Sequence, residues 1–333
     1  MSSSPAPAGR FSDSSEHTDV MGAELVSIAL CLITYRRPRG LGQALQGVGG
    51  LEVDPSEVDL RLVVVDNDPS GSAEDVVKDF ASRSVYPVAY AVEPQQGIPF
   101  ARNRAVQLAG DVDFIGWLDD DEVPIAAWLS LLVAALRCSR ADVVLGPSEP
   151  SLPAGAASWI AAGGFFDRTR FPSGTVIPAH YARTSGVLVR RAAMPARQTA
   201  FVEELRFTGG SDREHFVAME KAGATFVWVD EAVVVEKVPE SRACSGWILR
   251  RAFRIGNSRS ITLVLQHPPM GKRVKRVGAG ATKMVTGSFA ALVGLPRGKG
   301  AAMQGLWKTC YGAGLAFGAL GYRYDEYRKH HGG

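Results

Sequence analysis

The chain has 333 residues, 46% of them apolar, a mean hydropathy near zero and four cysteines scattered without CxxC spacing. That length carries a large domain plus an appendage, the composition excludes a fibrous or wholly disordered protein, and the cysteines imply a reducing, cytoplasmic setting with neither a zinc site nor a disulfide framework. The net charge of +3 conceals two halves, for residues 1–240 hold 21 Lys and Arg against 32 Asp and Glu, and residues 241–333 hold 16 against 2.

Residues 1–22 are rich in Ser, Pro and Ala and lack the apolar core of a signal peptide, so a disordered arm is expected there. Leu25–Ile33 is a nearly unbroken apolar run, as in a parallel strand covered on both faces, and it ends in the polar turn Thr34-Tyr35-Arg36-Arg37-Pro38. Gly40-Leu41-Gly42-Gln43-Ala44-Leu45 falls short of a dinucleotide fingerprint: Leu45 replaces the third glycine, and the first glycine lies beyond the tight turn. The segment reads as helix, which argues against an oxidoreductase. A second strand, Leu60–Val65, stops at Asp66-Asn67-Asp68-Pro69-Ser70, with a helix from near Ser72. A carboxylate there suits a ribose hydroxyl or base N–H, and the same four residues equally suit a plain turn.

Val88–Val92 gives a third strand, and Gly97 precedes a helix over Ile98–Ala109 that opens on Pro99 and carries Arg102, Asn103 and Arg104 early. Phe114–Leu118 is a short apolar strand that stops at four consecutive carboxylates, Asp119, Asp120, Asp121 and Glu122. Open α/β sheets keep their ligand crevice at such strand ends, and so much like charge in one turn calls for a cation or solvent. Asp119 and Asp121 are spaced to hold a divalent ion with positions left open for a diphosphate. A helix over about 125–139 and a strand over Asp142–Leu145 complete four strand-then-helix repeats. The expected fold is α/β: a doubly wound, mostly parallel sheet with helices on both faces.

Residues 147–183 are a long Gly-, Pro- and Ala-rich stretch of the kind that covers a site, and Ser185–Arg190 restores a strand. Ser211-Asp212-Arg213-Glu214-His215 opens a helix running to about Ala222. Ser211 and Glu214 have capping-box spacing, which would occupy Glu214 structurally and leave Asp212 ionised in the first turn as a general base or a simple dipole partner. His215 is expected to be packing. From Ser241 to Tyr324 there is no acidic residue, and residues 267–333 form a basic, apolar, helical appendage with two Gly/Ala-rich stretches, 277–295 and 301–322. Its partner is expected to be an anionic membrane surface, with a solvated helical hairpin as the plain alternative.

Taken together, Val-Ser-Ile-Ala-Leu-Cys-Leu-Ile-Thr-Tyr-Arg-Arg-Pro, Val-Val-Val-Asp-Asn-Asp-Pro-Ser, Gly-Ile-Pro-Phe-Ala-Arg-Asn-Arg-Ala, Phe-Ile-Gly-Trp-Leu-Asp-Asp-Asp-Glu and Gly-Gly-Ser-Asp resemble glycosyltransferase family 2, the inverting enzymes of the GT-A fold. The resemblance covers roughly Val26–Arg259, within a GT-A domain at 23–266. It implies a nucleotide-sugar donor met by Thr34, Tyr35 and Asp66, with Arg102 assisting, Asp119 on the ribose side, Asp121 binding Mg²⁺ or Mn²⁺, and Asp212 as catalytic base. Ser211 stands where the family has the first acid of a Glu-Asp pair. No histidine follows the 233–237 strand as an extra metal ligand. The Gln-x-x-Arg-Trp element of processive synthases is replaced by Trp247-Ile248-Leu249-Arg250-Arg251, which is similar to bacterial exopolysaccharide glucosyltransferases of the succinoglycan type. The resemblance therefore implies transfer of single sugars to a saccharide or lipid-linked acceptor; the basic tail is expected to seat the chain on the inner face of the cell membrane, and no nucleic-acid partner is expected. The rival readings are a nucleotidyltransferase, which lacks its Gly-rich loop and lysine here, and a non-catalytic nucleotide-sugar-binding membrane scaffold.

Overall fold

A computed structural model describes residues 24–195, 199–206, 209–265 and 267–324; the expected arm at 1–22 lies outside them. In chain order the main elements are β1 (Val26–Thr34), α1 (Pro38–Gly49), β2 (Val58–Asp66), α2 (Glu74–Ala81), β3 (Val88–Val92), α3 (Ile98–Ala109), β4 (Phe114–Asp119) and β5 (Glu122–Pro124). They continue with α4 (Trp128–Ser139), β6 (Val143–Leu145), β7 (Ser148–Ser151), α5 (Ser158–Ala162), β8 (Val187–Arg190), α6 (Ser211–Lys221), β9 (Phe226–Trp228) and β10 (Val234–Lys237). Three long helices, α7 (Ser245–Leu265), α8 (Met270–Gly294) and α9 (Lys299–Ala319), close the chain.

The large sheet has the order β3-β2-β1-β4-β8-β6-β9, and only β8 runs against the other six. β1 lies in the middle, which is why its residues Ile28 to Leu32 are wholly buried and why its sequence is apolar without alternation. Period-two alternation then sorts the strands between two cores. Leu30, Leu32, Leu62 and Val64 face α1, α2 and α4, while Ala29, Cys31, Val63 and Val65 face α3 and α6. Helices thus cover both faces, as the repeats of strand and helix predict.

Three short strands escape a sequence reading. Pro124 closes β5, and the helix expected from about 125 begins only at Trp128, because Val123 pairs with Val235 of β10 in a second sheet of order β5-β10-β7. β7 emerges within the stretch expected as loop. β9 is three residues long, too short to display a period.

The C-terminal helices pack as a layer with α9 in the middle. Gly280, Gly287 and Gly294 recur every seventh residue on α8, and a Cβ on each would come within 2.6–2.7 Å of α9 atoms. On the other side of α9, Gly314 and Gly318 meet the α7 backbone at Phe253 and Asn257 equally closely. The layer joins the domain through a small core in which Met303 of α9 meets Ile160, Phe166, Val238 and Trp247. α7, which the boundary at 266 leaves with the domain, therefore lies between the cleft and α9.

Candidate active site

The carboxyl ends of β1 and β4, the start of α3 and the first turn of α6 surround a cavity of about 390 Å³, enough for a nucleotide-sized ligand. Thr34, Tyr35, Arg102, Asp119, Asp121 and Asp212, all singled out in the sequence, line it together.

Its floor is the acidic turn. β1 and β4 pair in parallel with Ile33 opposite Asp119, so the turn after β1 faces the acids after β4. Thr34 Oγ1 donates to Asp120 at 2.8 Å, and Arg37 reaches both Asp120 and Asp121 at 3.2 Å. Asp120 is thus held by protein groups. Burial, reinforced by Glu122, raises Asp119 well above the usual carboxylate range despite the Arg102 charge nearby. Glu122 is buried beneath the turn, accepting from the Ser148 and Ser185 hydroxyls and from the Asp119 amide, and burial pushes it up to about 7. Its role is to brace the turn. Asp121, which lines the cleft with Asp119, is met by Arg37 at 3.2 Å and by Arg242 at 3.0 Å.

Opposite the floor, α6 begins at Gly210, whose φ of +92° is a left-handed conformation that side chains rarely adopt. That geometry replaces the expected capping box. Ser211 is already the first helical residue and has no capping bond to the backbone; its hydroxyl instead accepts from Arg102 Nη1 at 3.3 Å. Arg102, buried and stacked over Phe201, so ties α3 to the first turn of α6. Asp212, the next residue, is exposed to the cavity. His215 is fully buried, its Nδ1 on the Ala200 carbonyl and its ring against Phe201, in keeping with a packing role.

Asp66 departs from its expected place. It is wholly buried behind the cleft, accepting from the amides of Asp68 and Ala73 and from the Tyr90 hydroxyl, and it does not line the cavity. The neighbouring Asn67 does, though its amide is committed to Glu93, Gln95 and Gly97. The turn-forming alternative describes Asp66 better, since a wholly buried carboxylate already receiving several hydrogen bonds has little left for a ligand.

The sequence reading missed a wall of arginines. Arg168, Arg183, Arg242, Arg251 and Arg254 line the cavity together with Arg37 and Arg102. Arg168 pairs with Glu236, and desolvation lowers Arg251 to about 10 where its guanidinium lies over Phe166 and Trp247. Arg168 and Arg183 come from the long 147–183 stretch, Arg242 from the segment before α7, and Arg251 and Arg254 from α7, where the sequence reading used Arg251 only as part of the Trp247–Arg251 element. Only the basic count after residue 241 hints at them.

Whether the site suits a divalent cation can be judged from its donors. No group of three or more His, Cys, Asp or Glu side chains among the described residues is placed to hold a metal. An all-protein cage is therefore absent, but Mg²⁺ and Mn²⁺ at nucleotide sites typically use one or two carboxylates completed by phosphate oxygens and water. Asp121, with Asp119 beside it in the cavity wall, fits that kind of site.

Comparison with known proteins bears on the same residues. The Glycosyl transferase family 2 model matches residues 29–171, from within β1 through the acidic turn to beyond α5. Succinoglycan biosynthesis protein ExoM of Rhizobium meliloti (strain 1021) is 33% identical over 238 residues, 72% of this chain and 75% of that protein. Among solved structures, mannosyltransferase PcManGT from Pyrobaculum calidifontis, in complex with GDP-Man and Mn²⁺, aligns with a TM-score of 0.56 at 16% identity over 86% of each chain. S. aureus TarS 1–349 in complex with UDP aligns at 0.52 and 13% identity, over 90% of this chain and 93% of that one. The longer TarS chain is matched over 39% of its length. At such identities the structural likeness speaks for the fold alone.

Proposed function

Because the chain belongs to glycosyltransferase family 2, we propose that it transfers one sugar at a time, with inversion, from a nucleotide-diphospho-sugar to a hydroxyl of a saccharide or lipid-linked acceptor in cell-surface polysaccharide or glycolipid synthesis. The observation that carries this reading is the opposition, across one cavity, of the Asp119–Asp121 turn and Asp212, with arginines around both. The relative's name, a succinoglycan biosynthesis protein, and the UDP and GDP-Man bound to structural neighbours support a saccharide product and a nucleotide-linked donor.

In this reading Thr34 and Tyr35 border the nucleoside, and Asp119 faces the ribose. Asp121 would hold Mg²⁺ or Mn²⁺, which when bound neutralises charge on the diphosphate. Arg102, Arg168 and Arg242 supply fixed positive charge around the departing nucleoside diphosphate. Asp212 accepts the proton of the acceptor hydroxyl. The new bond forms between that oxygen and the anomeric carbon, on the face opposite the departing diphosphate, which leaves with the bonding electron pair. The basic C-terminal layer fits a peripheral position on the inner face of the membrane, beside a lipid-linked acceptor.

The test is to incubate the protein with UDP-, GDP- and dTDP-sugars plus Mn²⁺, measuring nucleoside diphosphate release and thermal shift. Release or stabilisation by one donor class, dependent on Mn²⁺, is expected. Absence of both for every donor would remove the transferase mechanism as written.

A further inference from the structure

α8 is apolar on two opposite sides. Its glycine side is buried against α9, while Met270, Val274, Val285, Phe289, Leu292 and, just after the helix, Leu295 are each 62–71% exposed. At 100° per residue all six fall within about 80° of Val285, forming one stripe along the helix. Exposed Gly278 and Ala281 fill the gap between Val274 and Val285, so no charge interrupts it. An apolar strip of this length in water marks an interaction surface.

The charges around the strip identify its partner. Lys272, Arg273, Lys275 and Arg276 surround its start, Arg297 and Lys299 its end, and residues 241–324 contain no acid. A second copy of the chain would bring two such basic surfaces together, whereas an anionic bilayer complements them. No helix among the described residues is long and apolar enough to cross a membrane. A helix with a continuous apolar face and basic margins instead lies in the headgroup region.

We propose that the outward face of α8 is a docking surface for anionic phospholipid, with the helix lying in the plane of the membrane and Phe289 and Leu292 inserted into its outer region. This rests on the peripheral-membrane reading above and specifies the surface responsible. Among the described elements α8 packs chiefly against α9. Arg276 on its inner side is close enough to Arg213, the neighbour of Asp212, to act on it electrostatically, after burial and Arg259.

The experiment is sedimentation of the full chain with vesicles of phosphatidylglycerol and phosphatidylcholine in equal parts, and with phosphatidylcholine alone. Wild type is expected to bind the anionic vesicles. The double variant Phe289→Asp, Leu292→Asp should bind at least about tenfold more weakly, because burial of one such side chain is already worth that factor. Lys272→Glu with Lys275→Glu should weaken binding at low salt. Both positions of the apolar pair are exposed, so an unchanged circular-dichroism melt is expected, and Mn²⁺-dependent nucleoside diphosphate release without vesicles should equal wild type. Failure of wild type to bind anionic vesicles would overturn the proposal. Equal binding by the apolar double variant would overturn it too, leaving membrane attachment to another surface. A concentration-dependent dimer dissolved by the same substitutions, with vesicle binding unchanged, would assign the strip to a second copy. None of these outcomes touches the transferase chemistry, which the release assay reads separately.

Discussion

Three acids that look alike in sequence have different tasks because their surroundings differ. Asp121 faces the cleft and receives Arg37 and Arg242. Asp121→Ala is expected to abolish Mn²⁺-dependent donor binding, read by calorimetry with and without the metal; wild-type affinity and metal dependence would remove the ligand assignment. Asp212 shares the first turn of α6 with Glu214 and lines the cleft. Asp212→Asn should retain donor binding yet lose about a hundredfold or more in turnover, the scale of a general base. If Glu214→Gln gave that behaviour instead, the role would pass to Glu214. Asp68 is structural: burial raises it, but Arg36 at 3.0 Å and Ser70 outweigh burial and hold it at about 2. A carboxylate depressed in the folded state adds stability above its unfolded value of 3.8, and that stability is lost as pH falls through about 2. Thermal melts of Asp68→Asn and wild type should therefore differ at pH 7 and converge on acidification, and a gap independent of pH would show that packing, not charge, is at stake.

At the scale of elements, what was legible depended on whether an element reports its own burial. β1, the Leu62–Val65 run of β2 and most of β4 are continuous apolar runs because both faces are covered, and α1 and α3 carry prolines in their first turns, so their positions follow from local pattern. β5, β7 and β9 are held by pairing with strands remote in sequence, and no local period announces them. The capping box misled for a related reason. Gly210 takes the cap position with a left-handed φ, and Ser211 is turned to Arg102, a partner 109 residues away. The helical layer is more transparent, since its glycines mark close approach. Gly312→Ala would place a Cβ 2.6 Å from the Gly280 carbonyl oxygen, backbone that cannot yield locally. The expected cost is about 1–3 kcal/mol in denaturant unfolding, and a neutral result would mean the α8 and α9 pair can shift apart.

Across the whole molecule, an acidic body and a basic helical layer meet at α7, whose Trp247, Arg251 and Arg254 form part of the cleft while Ala252, Gly256 and Ser260 are buried on the side where α9 packs. The layer is thus a structural partner of the site. A chain ending near Gln266 should melt at a markedly lower temperature and release less nucleoside diphosphate; an unchanged melt would mean the layer is detachable. The sequence alone determined the alternation of strands and helices, the acidic turn at a strand end, Asp212 in a helix start and the uneven charge, because each depends on residues close together in the chain. Tertiary structure decided which of these meet. It removed Asp66 from the cleft, since hydrogen bonds from a folded turn consumed its oxygens. It also gathered arginines from the 147–183 stretch and α7 around the acids, and it turned one side of α8 outward, because only chain packing fixes which residues share a wall and which are left facing solvent.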